Sequence, residues 1–264
     1  MTMADVSVRN SVKERLARGE VASSMTVRLT RSGEIARLAK AAGFDSLYVD
    51  LEHSSLSLET TSQICLAALD AGIAPFARVP QLDIIGRVLD GGALGVIVPD
   101  VRSASQARDI VRAAKYPTLG ERGFAAALPH FQYRNPPAAQ AYKALNDATM
   151  VIVQFEGAEA VDRADEIVAV EGVDMVLIGT NDLTADMGIP GDYENPKVRD
   201  AYARTIAACR RHGKHAGVGG LSSQPKLTAE FVKMGARYVS TGTDLGFLLA
   251  AATSNARQVR ALEV

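Results

Sequence analysis

Short apolar runs alternate along this chain with longer segments whose apolar residues recur every three or four positions. The runs Met150–Phe155 (MVIVQF) and Met175–Gly179 (MVLIG) are almost continuously apolar, as strands covered on both faces are. Each stops at or just before a carboxylate, Glu156 and Asp182. One helical segment, about residues 158–168, separates them, so the two strands are predicted to be parallel neighbours. Similar runs fall near 21–29, 46–50, 74–78, 95–99, 215–219 and 238–241. Helical spacing occupies 11–18, 34–42, 58–71, 84–89, 104–114, 197–212, 227–234 and 246–262, with glycines at 19, 43, 72 and 235 as closing signals. Eight strands alternating with helices predict an α/β chain closed as a (β/α)8 TIM barrel, one domain over residues 1–264. A doubly wound open sheet is the competitor. It is weakened because no G-x-G-x-x-G follows the first strand, and the glycines at 217, 219 and 220 read as a bend at a strand end. The alternation pauses at Thr118–Asp147, which holds three of the ten prolines. That stretch is expected to be irregular and to act as a lid or functional loop.

Composition narrows the function classes. The chain of 264 residues is 47% hydrophobic with net charge −1, which offers no electrostatic footprint for nucleic acid or an anionic membrane. No apolar run approaches the roughly 20 residues of a membrane span. Residues 1–20 mix both charge signs and lack an apolar signal-peptide core. The two cysteines, Cys65 and Cys209, sit in helical patterns and read as buried free thiols. A cytoplasmic protein is the simplest expectation.

If the barrel closes, all strand C-termini share one rim, where active sites of this architecture lie. Strand two ends in Asp50-Leu-Glu52-His53, strand three in Arg78, strand five in Gln154 and Glu156, strand six in Gly179-Thr180-Asn181-Asp182. Singly, Glu156 and Asp182 read as caps of the following segments. Together at one rim they are two hard oxygen ligands of the kind Mg²⁺ or Mn²⁺ prefers, with Co²⁺ tolerated. Asp50 and Glu52 are assigned behind those ligands, because further carboxylates would over-neutralise a cation. Arg78 can stabilise an enolate oxygen, or pair Asp50 or Glu52 structurally. His53 can act as general acid or base, or be a satisfied loop histidine. Gln154 stays ambiguous. The backbone amides of Thr180, Asn181 and Asp182 open a short segment that can receive a carboxylate. No lysine stands at these strand ends, which argues against Schiff-base chemistry. His212 and His215 fall at the opposite rim and read as structural, and His130 is left without a role.

The motifs Tyr48–His53 (YVDLEH), Ala77–Pro80 (ARVP), Leu89–Ala93 (LDGGA), Gly120–Gly123 (GERG), Val153–Glu156 (VQFE) and Ile178–Leu183 (IGTNDL) resemble the HpcH/HpaI aldolase family. The resemblance runs from about Phe44 to the last helix. It implies a (β/α)8 barrel whose C-terminal helix is exchanged between subunits of a homohexamer. It implies metal ligands at Glu156 and Asp182, and Arg78 on a pyruvyl keto oxygen with Gln154 nearby. It further implies His53 in a dyad with an aspartate matching Asp90, supplied by a neighbouring subunit. Without the resemblance, Asp90 is an ordinary acid in the cap region of its helix. Leu51, Asp100, Arg102 and Gly157 depart from the family's usual pattern, and Asp100 and Arg102 follow strand four on the acceptor side. The expected activity is metal-dependent cleavage of a 4-hydroxy-2-oxo acid to pyruvate, or a related 2-oxo acid, and an aldehyde. Oxaloacetate decarboxylation would be a side reaction through the same enolate. The alternatives are a citrate-lyase-like enzyme acting on an acyl-CoA thioester, for which no basic cluster is seen near the rim, and a non-catalytic binding barrel.

Overall fold

A computed structural model of the chain describes residues 6–262. The ends of the predicted domain, residues 1–5 and 263–264, lie outside the described residues, as does the start of the stretch read as lacking a signal-peptide core. The strands are β1 (Ala22–Val27), β2 (Ser46–Asp50), β3 (Ala74–Arg78), β4 (Gly95–Val98), β5 (Met150–Phe155), β6 (Met175–Gly179), β7 (His215–Gly219) and β8 (Tyr238–Thr243). All pair in parallel, each with its sequence neighbours, and β8 returns to β1 to close the barrel. The competing open sheet is thereby excluded.

Period two sorts each strand into two cores. Tyr48, Phe76, Ile152, Leu177 and Tyr238 share a cluster inside the barrel, while their neighbours Val49, Ala77, Val153 and Ile178 join clusters between sheet and helices. Helix α1 (Ser11–Ala17) contributes Val12 and Leu16 to the inner cluster and so plugs one end of the barrel. The side chain of Asn10 caps that helix and donates to Ala148 O at 2.8 Å, tying the plug to the chain just before β5. The other end is left to the strand C-termini. The inner-facing positions there are fixed by the same alternation: Arg28 follows Thr26, Asp50 follows Tyr48, Arg78 follows Phe76, and Gln154 and Glu156 follow Ile152.

The helices in chain order are α2 (Glu34–Ala41), α3 (Leu58–Ala71), α4 (Ile85–Asp90), α5 (Ala104–Ala114), α6 (Ala138–Ala148), α7 (Ala158–Asp162), α8 (Ala164–Val168), α9 (Thr180–Asp186), α10 (Pro196–Arg211), α11 (Pro225–Met234) and α12 (Asp244–Arg260). Two expectations need correction. The segment 118–147 is not irregular throughout, because its last third is α6, whose face is built from Ala141, Ala144, Leu145 and Ala148. The single helix expected over 158–168 is two short helices divided at Arg163. The glycine bend is found at Gly220, at φ +80 just past β7, with Asn181 side-chain atoms 3.2–3.3 Å from where a Cβ would stand. Helix α12 leaves Leu245, Phe247, Leu248 and Leu249 exposed. Among the described residues no helix is long and apolar enough to cross a membrane.

Candidate active site

The rim gathers charge around one buried carboxylate. Asp50 and Arg78 are register partners on β2 and β3, so their side chains rise side by side from the inner face. Arg78 donates from Nε to Asp50 Oδ1 at 2.8 Å and from Nη2 to Oδ2 at 2.6 Å, a two-pronged match of planar groups. Its Nη1 lies 3.1 Å from Glu52 Oε2. The amides of Glu52 and His53 also donate to Asp50 Oδ1. Burial would raise Asp50, but the Arg78 hydrogen bonds and charge, with the His53 amide and Arg28, hold it down at about 2. His53 is half exposed, its Nε2 3.8 Å from Glu52 Oε2.

Across the rim, Glu156 follows β5 and is 8% exposed. Its Oε1 accepts from Gln154 Nε2 at 2.7 Å and its Oε2 from the Asp100 amide at 2.9 Å. Burial pushes Glu156 up to about 7 against the Asp100 amide, and the charges of Glu52 and Asp182 add to the rise. Gly179 makes the close approach possible, since a Cβ there would stand 2.7 Å from Gln154 Nε2 and 2.9 Å from Glu156 Oε1. Gln154 Oε1 is buried without a partner. Asp182 is exposed in the first turn of α9, whose N-terminus has no side-chain cap.

At Thr180 and Asn181, whose backbone amides are the predicted carboxylate donors, the side chains are committed elsewhere. Thr180 is buried, with its hydroxyl 2.8 Å from Tyr202 Oη and donating to Gly219 O at 2.7 Å. Asn181 Oδ1 accepts from Tyr193 Oη at 2.8 Å. Only their backbone amides remain for a ligand. Asp90 ends α4 and pairs with buried Arg122 at 2.6 Å. Among the described residues it has no hydrogen bond or ion pair to His53. His130 is partly buried with Nε2 3.1 Å from Ala93 O, and desolvation lowers it to about 4. His215 opens β7 at the far end, as expected of a structural histidine. The buried Lys115 donates to Asn146 O and Thr149 O, beside the start of β5 and so away from this rim.

These residues fit a divalent cation. Asp182 and Glu52 crowd like charge against the buried Glu156 carboxyl, which a cation relieves. Among the described residues no three His, Cys, Asp or Glu side chains form a complete ligand set. Two carboxylates with the remaining positions left to water and substrate is how Mg²⁺ is usually held.

Residues 27–251 match the family described as HpcH/HpaI aldolase/citrate lyase. The chain belongs to that family. It is 37% identical over 264 residues, 98% of each chain, to the 4-hydroxy-4-methyl-2-oxoglutarate aldolase of Hapsidospora irregularis. It is 36% identical over 252 residues, 93% of each chain, to the 4-hydroxy-2-oxo-heptane-1,7-dioate aldolase of Shigella boydii. The crystal structure of the HpcH/HpaI aldolase from Desulfitobacterium hafniense superposes with a TM-score of 0.90 at 31% identity, covering 96% of this chain and 98% of that one.

Within this HpcH/HpaI barrel, two rim-supporting groups, Arg28 and Asp244, escaped the sequence reading, and a third, Asp100, was noted there only as a departure on the acceptor side. Arg28 donates from Nε to Asp50 Oδ2 at 2.6 Å. Asp244, at the start of α12, accepts the amides of Arg28, Leu29 and Thr30, fixing the loop after β1. Asp100 holds a left-handed backbone, φ 49, that aims its amide at Glu156, and its side chain receives Arg102 Nε at 2.7 Å. Alternation placed Arg28 on the inner face. The role of Asp244 depends on contacts distant in sequence, and that of Asp100 on backbone shape. Asp100→Val should therefore cost about 1–2 kcal/mol, since a β-branched residue resists that conformation. It should also weaken Mn²⁺ binding, whereas Asp100→Gly keeps the turn and most of the affinity. Thermal melting with and without Mn²⁺ checks both.

Proposed function

We propose that this chain is a metal-dependent aldolase that reversibly cleaves a 4-hydroxy-2-oxo acid to pyruvate, or a close relative, and an aldehyde. The observation that carries the reading is buried Glu156, crowded by Asp182 and Glu52, on the same rim as Arg78. Glu156 and Asp182 would hold a divalent cation, Mg²⁺, Mn²⁺ or Co²⁺. When bound, that ion supplies Lewis-acid polarisation of the 2-oxo group.

The chain's own residues divide the remaining work. Arg78 is locked on Asp50 and Glu52, so its remaining guanidinium hydrogens are fixed in place for the developing enolate oxygen, without reorganisation during reaction. Gln154 is held against Glu156 through its amide nitrogen, which leaves its oxygen for a substrate or water hydrogen. The uncapped amides of α9, from Thr180 to Asp182, receive the substrate carboxylate. His53 takes the 4-hydroxyl proton as the C3–C4 bond breaks. The bond's electron pair becomes the enolate, the aldehyde leaves, and a proton returned to C3 gives the 2-oxo acid. Asp90 of a neighbouring subunit would complete a dyad with His53, since within one chain it is bound to Arg122. The same proposal includes a homohexamer with exchanged C-terminal helices, which the exposed leucines of α12 support. No observation at the rim favours an acyl-CoA thioester.

Exchange of pyruvate methyl protons into D₂O, followed by NMR, tests the reading without knowledge of the aldehyde. Exchange that appears with Mg²⁺ or Mn²⁺ and vanishes with chelator is expected. Absence of exchange while metal is demonstrably bound overturns pyruvate as the donor.

A further inference from the structure

The two carboxylates proposed to hold the cation both stand beyond the sheet. Pairing between β5 and β6 ends with Phe155 opposite Ile178, and Glu156 and Asp182 come after that last pair. The barrel's backbone hydrogen bonds therefore do not set the distance between them. Their like charge drives them apart when no cation lies between.

A side chain one turn further along α9 bridges the gap. Asp186 lies at i+4 from Asp182, so the two share a face of the helix. Its Oδ2 accepts the Ala158 amide at 2.8 Å. Ala158 opens α7 just after Glu156, and the N-cap there, Gly157, has no side chain to offer that amide. Among the described residues this is the only hydrogen bond between α9 and the chain that follows β5. The other oxygen of Asp186, Oδ1, lies 3.5 Å from Arg102 Nη2. Arg102 donates in turn to Asp100, whose amide holds Glu156 Oε2 at 2.9 Å. Gly157 leaves room for these groups, since a Cβ there would stand 3.2 Å from Arg102 Cζ and 3.3 Å from Asp186 Oδ1. The contacts close a ring. It runs from Glu156 along its own backbone to Asp186, and back through Arg102 and Asp100 to the Glu156 carboxylate. An acceptor anywhere nearby could cap α7. An acceptor on the helix of Asp182 also fastens one carboxylate's segment to the other's, which preorganises the pair for a cation.

We propose that Asp186 is a positioning residue for the divalent cation, which fastens the segments bearing Asp182 and Glu156 together before the ion arrives. This rests on the metal-dependent reading above. Titrating the chelator-treated full chain with Mn²⁺, and following free Mn²⁺ by its aqueous EPR signal, gives the affinity without reference to turnover. Asp186→Ala should weaken Mn²⁺ binding by about 10- to 100-fold, the usual cost of removing a group that orients a metal ligand. Asp186→Asn keeps an oxygen for the Ala158 amide and should recover most of that loss. Arg204→Met is the control. Arg204 donates to Asp162 at 2.8 Å and so ties the far end of α7 to α10 without touching Asp186. Its Mn²⁺ affinity should match wild type. Wild-type affinity in Asp186→Ala overturns the assignment. Binding in Asp186→Asn as weak as in Asp186→Ala also overturns it, by making the effect one of charge alone. An equal loss in Arg204→Met does the same, by making the effect a general loosening of α7. Failure of wild type to take up Mn²⁺ removes the metal reading beneath the proposal, whereas equal binding by wild type and Asp186→Ala removes only the role of Asp186.

Discussion

Glu156→Ala should abolish metal-dependent turnover, by at least about 10³-fold, while leaving the barrel folded. The loss follows because, in the proposed site, Glu156 is one of two side-chain ligands, and Lewis-acid stabilisation is worth several kcal/mol. The fold should survive because the two hydrogen bonds Glu156 accepts are set against the cost of its buried charge. Burial pushes its carboxyl up to about 7, and its neighbours Glu52 and Asp182 are of like charge, so the folded state gains nothing from the ionised form. In chelator, the variant should melt close to the wild-type temperature, because relief of the crowded buried carboxyl offsets the hydrogen bonds lost from Gln154 and the Asp100 amide. Adding Mn²⁺ should raise the melting temperature of wild type but not of Glu156→Ala, since a ligand stabilises only the form that binds it. Asp182→Ala should lose turnover in the same way. Being exposed and without a capping bond, Asp182 should be still more neutral for stability. Metal-dependent turnover at the wild-type rate in either variant would overturn the ligand assignment.

The barrel was legible because β5 and β6 are apolar almost throughout, which only strands covered on both faces require, and because helices separate every pair of runs. The same alternation made Asp50, Arg78, Gln154 and Glu156 legible, since residues two apart on a strand share a face. Helix α6 was hidden because its buried face is mostly alanine and two prolines precede it, so the segment resembles a loop in composition. Thr180 and Asn181 were read through their backbone amides alone, and what their side chains do was not legible: they are bound by Tyr202, Gly219 and Tyr193, from the following helix, strand and loop. Arg122, the partner of Asp90, comes 32 residues later, and no local pattern links them. Arg28 was readable in principle. The first run was drawn to residue 29, whereas β1 ends at Val27, and that margin hid a charged residue at a strand end.

Arg78→Ala should slow pyruvate proton exchange by about 10²–10³-fold without removing the metal, the cost of deleting a preorganised oxyanion donor. Arg78→Lys should recover little, because an ammonium keeps the charge but cannot span both oxygens of Asp50. The substitution has a second consequence in the fold. Asp50 is fully buried, and Arg78 is the main influence holding it at about 2 against burial. Breaking a buried pair from one side costs about 3 kcal/mol, with Arg28 and two amides left to limit the loss. The sign with pH is fixed by the direction of the shift. Asp50 lies below its ordinary 3.8, so its stabilisation is fully present above that value and fades as pH falls toward 2. Without Arg78, burial dominates, Asp50 moves up, and acid unfolding should begin at higher pH than in wild type. Urea denaturation at pH 7 and at pH 4 measures both effects, and exchange kinetics measures the catalytic one. Wild-type exchange in Arg78→Ala, accompanied by lost stability, would make Arg78 a structural partner of Asp50 and leave enolate stabilisation to the metal alone.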